Sequence, residues 1–167
     1  YLSATLKDPD YTYNIREGIN DGILCDYQIR CPVYTGDCNT QLIRYIQENN
    51  EFTSILAFCN TVIEAEKFAE MCVCNNIPSI CLSSKDTRRK RKSVLAKFSN
   101  QKYRVLTSVN VLGEGIDLPF VDTCLFVEPR SSFNNIVQCM GRITRMTTGK
   151  QMSYVIVPYN QQTSCKD

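Results

Sequence analysis

The stretch Ser54-Ile55-Leu56-Ala57-Phe58-Cys59-Asn60 decides the fold class. Its uninterrupted apolar run, which ends in a polar residue, is typical of a strand that is buried on both faces of a parallel sheet. Residues 61–75 follow with the i, i+3, i+4, i+7 spacing of an amphipathic helix, formed by Ala65, Phe68, Ala69 and Cys72. A second short apolar run occupies residues 79–82. This strand–helix–strand order predicts two parallel strands joined by a crossover helix.

The same alternation continues on both sides of this unit. Strands are predicted at residues 27–33, 55–59, 79–82, 103–109, 123–127 and 152–157, and helices at 41–47, 61–75 and 88–98. We therefore predict an α/β fold with three layers, in which helices cover both faces of a mainly parallel sheet. Functional loops of such folds gather at the carboxyl ends of the strands. The polar segments at those ends are Asn60, Ser83-Ser84, 110–117 and 128–132.

The composition suits one globular domain of 167 residues. The net charge of +2, from 19 basic and 17 acidic residues, does not by itself indicate a protein that binds nucleic acid. No apolar stretch approaches the roughly 20 residues that a membrane span needs, so no membrane association is expected.

The chain has ten cysteines and no histidine. Several cysteines fall inside predicted strands and helices, so we interpret them as small buried side chains of an intracellular protein in a reducing compartment. Cys72 and Cys74 lie two positions apart on a predicted helix and point to different faces, which is poor geometry for a metal. No metal site is therefore expected, although zinc bound by Cys25, Cys31 and Cys38 stays open as an alternative.

Residues 136–145, Ile-Val-Gln-Cys-Met-Gly-Arg-Ile-Thr-Arg, contain the pattern Q-x-x-G-R-x-x-R. On a helix, Gln138, Arg142 and Arg145 project from one face, while the apolar residues between them can pack against a sheet. Two guanidinium groups on one face suit a phosphate, because each is permanently charged and can donate two parallel hydrogen bonds. The alternative is the solvated polar face of an ordinary amphipathic helix.

Residues 105–119 are predicted to form a buried strand that breaks into a Gly-x-Gly-Ile-Asp loop and stops at Pro119. Glycines in such a loop let backbone N–H groups approach a ligand closely. The carboxylate of Asp117 can accept a hydrogen bond from a ribose hydroxyl. The alternative is a plain strand-to-helix turn.

Together these two runs resemble motifs V and VI of superfamily 2 helicases, in the wording of the restriction-enzyme-like and large-DNA-virus branch. Residues 54–60 resemble motif IV, and Ser3-Ala4-Thr5 matches motif III. The resemblance implies the second, C-terminal RecA-like lobe of such an enzyme. The expected organisation is a connector with a motif III remnant and a short helix in residues 1–24, the lobe in 25–160 and a tail in 161–167.

The resemblance also implies a role for each motif. ATP and Mg²⁺ are expected between two lobes, where Arg142 and Arg145 act as arginine fingers on the γ-phosphate. Gln138 is expected to contact that phosphate or to position the attacking water. The residues expected on the nucleotide side are Glu114, Gly115, Asp117 and Gly141.

A strand of nucleic acid, DNA rather than RNA, is expected to run along the same lobe. The residues expected to hold its phosphate backbone are Asn60, Ser83, Ser84, Thr107, Ser108 and Asn110. The basic run 85–92 is interpreted as the solvated start of a helix that also contacts this backbone. A nuclear-localisation patch is the alternative; if the source is a virus, the compartment is the host cytoplasm or nucleus.

No G-x-x-x-x-G-K-[ST] pattern occurs in the chain, and no Asp-Glu pair ends an apolar strand. In the family these elements belong to the first lobe, where they hold phosphate and magnesium. We therefore expect the chain to be the second lobe alone, with Mg²⁺ held by an N-terminal lobe in cis, and expect it not to hydrolyse ATP by itself. The alternative is a non-catalytic RecA-like module that binds nucleic acid or protein.

Overall fold

The computed structural model describes residues 14–109, 118–128, 141 and 143–161. From residue 38 to residue 108, helices and strands alternate as predicted. The helices are α1 (Ile15–Asn20), α2 (Cys38–Glu48), α3 (Val62–Cys74) and α4 (Arg88–Ser99). The strands are β1 (Asp26–Arg30), β2 (Val33–Tyr34), β3 (Ile55–Phe58), β4 (Ser79–Cys81), β5 (Val105–Ser108), β6 (Thr123–Phe126), β7 (Met152–Ile156) and β8 (Tyr159–Asn160).

One six-stranded sheet runs through the domain, in the order β1-β7-β6-β3-β5-β4. Every pairing in this sheet is parallel, which confirms the predicted mainly parallel sheet. β2 and β8 pair in parallel as a separate two-stranded sheet. Because the large sheet is parallel, the carboxyl ends of β3, β4, β5 and β6 lie along the same edge.

Helices cover both faces of the sheet, which confirms the three-layer α/β architecture. Successive side chains of β3 alternate between the two faces, as the pleat of a strand requires. Ile55 and Ala57 lie in one apolar cluster with Phe68 of α3. Leu56 and Phe58 lie in the opposite cluster with Phe98 of α4.

Each helix begins at a residue whose side chain accepts a hydrogen bond from a backbone N–H of the first turn. These N-cap residues are Asn14, Asp37, Thr61 and Thr87. Thr61 and Glu64 form a complete capping box, in which each side chain also serves the other residue's backbone. The caps explain why the predicted helices at 61–75 and 88–98 agree with the observed ones to within a residue.

The predicted strand at residues 27–33 is in fact two strands that belong to different sheets. β1 ends at Arg30 and β2 begins at Val33. Pro32 lies between them and has no N–H to donate to a neighbouring strand, so the ladder breaks there. The Pro32 carbonyl instead accepts a hydrogen bond from the N–H of Tyr159 at 2.9 Å.

The cysteines of the described residues are all free thiols. Cys59, Cys72 and Cys124 are fully buried in the apolar clusters, as the interpretation of small buried side chains requires. Cys25 and Cys38 do not join Cys31 in a metal site: within the described ranges no group of three potential ligands is placed to hold an ion. In the same ranges, no helix has the length and apolar character to cross a membrane.

Candidate functional site

The carboxyl edge of the large sheet carries most of the residues that were expected to hold a nucleic-acid strand. Asn60 follows β3, and its neighbour Cys59 donates its N–H to the Ser108 carbonyl of β5 at 3.0 Å. Ser83 and Ser84 follow β4, which pairs with β5. The topology therefore places the Asn60 loop, the Ser83-Ser84 loop and the end of β5 side by side.

Thr107 is the exception, because its side chain lies inside the domain. It is fully buried, and its hydroxyl donates a hydrogen bond to the Ala65 carbonyl of α3 at 2.8 Å. A hydroxyl that faces α3 is not presented to a ligand at the edge of the sheet. The expected contact between Thr107 and a phosphate is therefore corrected: Thr107 ties β5 to α3. Ser108 is also largely buried.

An acidic group from the segment after β6, which was not among the residues expected at this site, contacts the Asn60 loop. The Glu128 carboxylate accepts a hydrogen bond from the Asn60 backbone N–H at 2.6 Å. Glu64 lies nearby, and its pKa is lowered, chiefly by a hydrogen bond with Glu128 and next by one with Thr61. These carboxylates disfavour a phosphate directly at the Asn60 N–H, because two anions there repel each other.

Asp86 organises the Ser83-Ser84 loop. Its carboxylate accepts a hydrogen bond from the Ser83 backbone N–H at 2.8 Å and a longer one from the Ser83 hydroxyl at 3.3 Å. The ammonium of Lys90 and this N–H lower the pKa of Asp86. The Arg91 guanidinium donates to the Ser83 carbonyl at 3.3 Å, so hydrogen bonds hold both the backbone N–H and the carbonyl of Ser83. Ser84 remains exposed at the tip of the loop.

The run 85–92 separates into paired and exposed cations. Lys90 forms an ion pair with Asp86 across one helical turn, and Arg91 contacts the loop. The other four cations are exposed, and we call them the basic face: Lys85, Arg88, Arg89 and Lys92. The basic face lies beside Ser84, at the start of α4, so this corner of the carboxyl edge is locally cationic although the chain as a whole is nearly neutral.

Arg145 is the one predicted arginine finger that falls within the described residues. It is exposed, and it pairs with Leu24 in an antiparallel bridge where the N-terminal segment joins the sheet. The preceding carbonyl, of Thr144, accepts the Cys25 N–H at 2.8 Å. The Ile143 side chain is buried against the sheet, and its carbonyl accepts the Ser153 hydroxyl at 2.6 Å. The backbone around Arg145 is therefore held by hydrogen bonds, while the residue itself is exposed.

Gly141, which was expected on the nucleotide side, is helical and exposed. The remaining predicted site residues lie outside the described residues: Asn110, Glu114, Gly115, Asp117, Gln138 and Arg142. Sequence reasoning missed Glu128 as a partner of Asn60 and Lys150 as a contact of the Arg145 carbonyl. Position after a strand was a signal for Glu128, but no local pattern pointed to Lys150.

Residues 37–147 match the protein family described as Helicase conserved C-terminal domain. A helicase predicted for Sulfolobus islandicus filamentous virus (isolate Iceland/Hveragerdi) is 27% identical over 139 residues, which cover 83% of this chain and 25% of that protein. ATP-dependent RNA helicase HAS1 of Saccharomyces cerevisiae is 23% identical over 154 residues, 92% of this chain and 29% of that protein. The chain thus spans between a quarter and a third of the length of these relatives.

Solved structures agree on the fold. A fragment of a predicted HsdR subunit of a type I restriction enzyme from Vibrio vulnificus YJ016 superposes with a TM-score of 0.73 at 21% identity, over 91% of this chain and 35% of that chain. The parallel sheet with helices on both faces is therefore the RecA-like domain that the resemblance implied. The matched residues 37–147 enclose the whole Q-x-x-G-R-x-x-R run, and the chain belongs to the helicase conserved C-terminal domain family.

Proposed function

We propose that this chain is the C-terminal lobe of an ATP-dependent helicase or translocase, and that it supplies arginine fingers to ATP held by an N-terminal lobe. The observation that carries the proposal is the exposed Arg145, which ends the Q-x-x-G-R-x-x-R run and lies beside Leu24. Leu24 is where the N-terminal segment enters the domain. In the proposed arrangement, an N-terminal lobe attached through that segment lies next to the arginine.

The chemistry of phosphoryl transfer explains why such a lobe carries arginines. Negative charge develops on the oxygens of the transferred γ-phosphoryl group, and fixed cations stabilise it more than they stabilise bound ATP. Arg145 fits this group, because it is exposed and hydrogen bonds hold the carbonyls of Thr144 and of Arg145 itself. We assign Arg142 the same role, Gln138 the contact with the γ-phosphate or the water, and Asp117 the ribose. Mg²⁺, held by the N-terminal lobe, neutralises phosphate charge when it is bound.

The strand of nucleic acid is proposed to pass along the carboxyl edge, over the Ser83-Ser84 loop. Ser84 offers an exposed hydroxyl there, and the basic face offers four cations beside it. Each cation that neutralises a phosphate adds affinity that falls as salt rises. Thr107 has no part in this contact, and Asn60 acts through its side chain at most, because Glu128 occupies its N–H.

A competition experiment can decide whether the bound strand is DNA or RNA. Our expectation from the sequence was DNA, whereas HAS1 is named as an RNA helicase. Competition between single-stranded DNA and RNA oligonucleotides of one sequence, at one salt concentration, decides it. A preference for RNA would overturn the DNA expectation without touching the rest of the proposal.

The arginine assignment is tested in the protein that contains both lobes. Arg142→Ala and Arg145→Ala are each expected to lower ATP turnover on the order of 10³-fold, the usual worth of an arginine finger, and to weaken ATP binding much less. Arg44→Ala is the matched control, since Arg44 forms only a surface ion pair with Glu48 on α2. The 167-residue chain alone is expected to show no turnover.

Two results would contradict the proposal. Turnover that survives both arginine substitutions at the level of Arg44→Ala removes the finger role. Binding of nucleic acid by a two-lobe protein that never hydrolyses ATP leaves a non-catalytic binding module instead.

A further inference from the structure

Lys150 lies in a ring of backbone carbonyls. Its ammonium donates hydrogen bonds to the carbonyls of Val121 at 2.7 Å and of Pro119 and Arg145 at 3.3 Å, and it also contacts the carbonyl of Ile143. We call Lys150 and these four carbonyls the ammonium clamp. The side chain is partly buried, and burial lowers the pKa of Lys150.

The ammonium clamp leaves Lys150 no proton for a ligand. An ammonium has three N–H bonds, and four carbonyls already share them. Although Lys150 follows Gly149, as the lysine of a phosphate-binding loop follows a glycine, it is therefore not a phosphate ligand in this arrangement. Its protons hold backbone, so any contribution to function acts through the segments that it joins.

Those segments are the two that carry the nucleotide motifs. Pro119 and Val121 lie directly after the predicted nucleotide loop, which ends at Asp117. Ile143 and Arg145 lie at the end of the Q-x-x-G-R-x-x-R run. One cation thus joins the exit of one motif to the exit of the other, at positions up to 31 residues away along the chain.

A turn presents Lys150 to these carbonyls. The Lys150 N–H donates to the Thr147 carbonyl at 3.1 Å and closes a four-residue turn. Gly149 occupies its third position with a φ of +84°, a conformation that favours glycine because it has no Cβ. An added Cβ would meet nothing within 4 Å, so a substitution there perturbs the turn through backbone strain alone.

We propose that Lys150 is a positioning residue for ATP hydrolysis, which holds the arginine-finger segment in register with the nucleotide loop. This rests on the proposed function, in which Arg142 and Arg145 reach the γ-phosphate. A displacement of about 1 Å in a catalytic group costs on the order of 10²-fold in rate, because a misplaced cation no longer meets the charge that develops in the transition state. Binding of ground-state ATP is far less sensitive to that displacement.

The first test separates kcat from KM in the two-lobe protein. Lys150→Met keeps the length of the side chain and removes its donors. It is expected to lower kcat roughly 10-fold to 100-fold with KM for ATP changed less than about threefold. Lys150→Arg, which restores charge and donors, is expected to recover part of kcat. Lys102→Met is the matched control, since Lys102 is exposed and its ammonium takes no part in the ammonium clamp.

The second test measures amide hydrogen exchange around the ammonium clamp in the absence of ATP. In the 167-residue chain, Lys150→Met is expected to speed amide hydrogen exchange in residues 118–122 and 143–147 together, and Lys102→Met in neither. Gly149→Ala, which strains the turn and keeps the ammonium, is expected to give the same paired change in weaker form. It serves as the test variant if Lys150→Met does not fold.

The outcomes distinguish the two proposals. If the arginine variants abolish turnover while Lys150→Met and Lys102→Met share one kcat, the positioning role is wrong and the proposed function stands. If the arginine variants turn over normally, the proposed function fails, and with it the positioning role, whatever the exchange data show. If kcat falls but exchange in the two segments does not rise together, the ammonium clamp is not the cause and the inference is overturned.

Discussion

Replacing Thr107 by valine asks whether this residue belongs to the nucleic-acid site or to the core. In the structure its hydroxyl donates to the Ala65 carbonyl at 2.8 Å, and its side chain has no exposed surface. Valine has nearly the same shape, so the change opens no large cavity; it removes the hydrogen bond to Ala65 and a weak one with the Cys81 thiol. The Ala65 carbonyl keeps its acceptor role within α3, so it is not left unpaired.

The expected magnitude follows from that geometry. A neutral buried hydrogen bond contributes about 1 kcal/mol net, and burial of a methyl group in place of the hydroxyl offsets part of the loss. Thr107→Val is therefore expected to change the free energy of unfolding by no more than about 1 kcal/mol. A hydroxyl that bound a phosphate would instead contribute a charge-assisted hydrogen bond of about 1.5–3 kcal/mol, which is roughly tenfold or more in affinity.

The assay measures both quantities on the two-lobe protein. Urea unfolding gives the stability, and fluorescence anisotropy of a labelled single-stranded oligonucleotide at fixed salt gives the affinity. Thr107→Val is expected to leave the affinity within about twofold, while Ser84→Ala, at the exposed loop tip, is expected to weaken it severalfold. A tenfold loss of affinity in Thr107→Val with unchanged stability would refute the placement of this hydroxyl in the core.

Three further predictions concern charge and burial. Asp122→Ala is expected to lower the free energy of unfolding, measured by urea titration, by about 3 kcal/mol or more. The buried carboxylate accepts hydrogen bonds from two backbone N–H groups and two hydroxyls at the starts of β3 and β6, and all four lose their acceptor. A loss under about 1 kcal/mol would contradict this. The pKa of Asp86 is lowered by Lys90 and a backbone N–H, so the stability that this carboxylate contributes is present above the ordinary pKa of 3.8 and is lost as the pH falls through the lower folded-state pKa. Asp86→Asn should therefore make the urea midpoint depend less on pH in the acid range, and an unchanged pH dependence would contradict the assignment. Burial raises the pKa of Cys72 to about 12, so iodoacetamide at pH 8 should alkylate the exposed Cys74 and spare Cys72 in the folded chain, as mass spectrometry can show; equal labelling would place Cys72 at the surface.

The predicted ends of strands and helices agree with the structure where one local sequence signal determines them. The apolar run at residues 55–59 became β3 (Ile55–Phe58), because a strand that is covered on both faces needs every side chain to be apolar. The helix at 61–75 became α3 (Val62–Cys74), because a Thr61 cap and a regular apolar stripe mark its start and its buried face. The single strand predicted at 27–33 was wrong at Pro32, because proline has no backbone N–H to donate to a neighbouring strand.

The candidate site was predictable only in part. The position of a polar residue after a strand correctly brought Asn60, Ser83 and Ser84 to one edge, because that follows from a parallel sheet alone. It did not reveal that Thr107 faces α3, since both faces of a buried strand are covered and the sequence pattern cannot tell which side chain meets a helix carbonyl.

What the sequence by itself determined is the class of fold and the identity of the motif residues, because those depend on local periodicity and on runs of adjacent residues. What only the tertiary structure decided is which groups meet across the chain: Glu128 on the N–H of Asn60, 68 residues apart, and Lys150 on carbonyls up to 31 residues away. Backbone N–H and carbonyl groups are the same at almost every residue, so no sequence pattern marks the ones that a distant side chain will find. Packing of the helices against the sheet selects them.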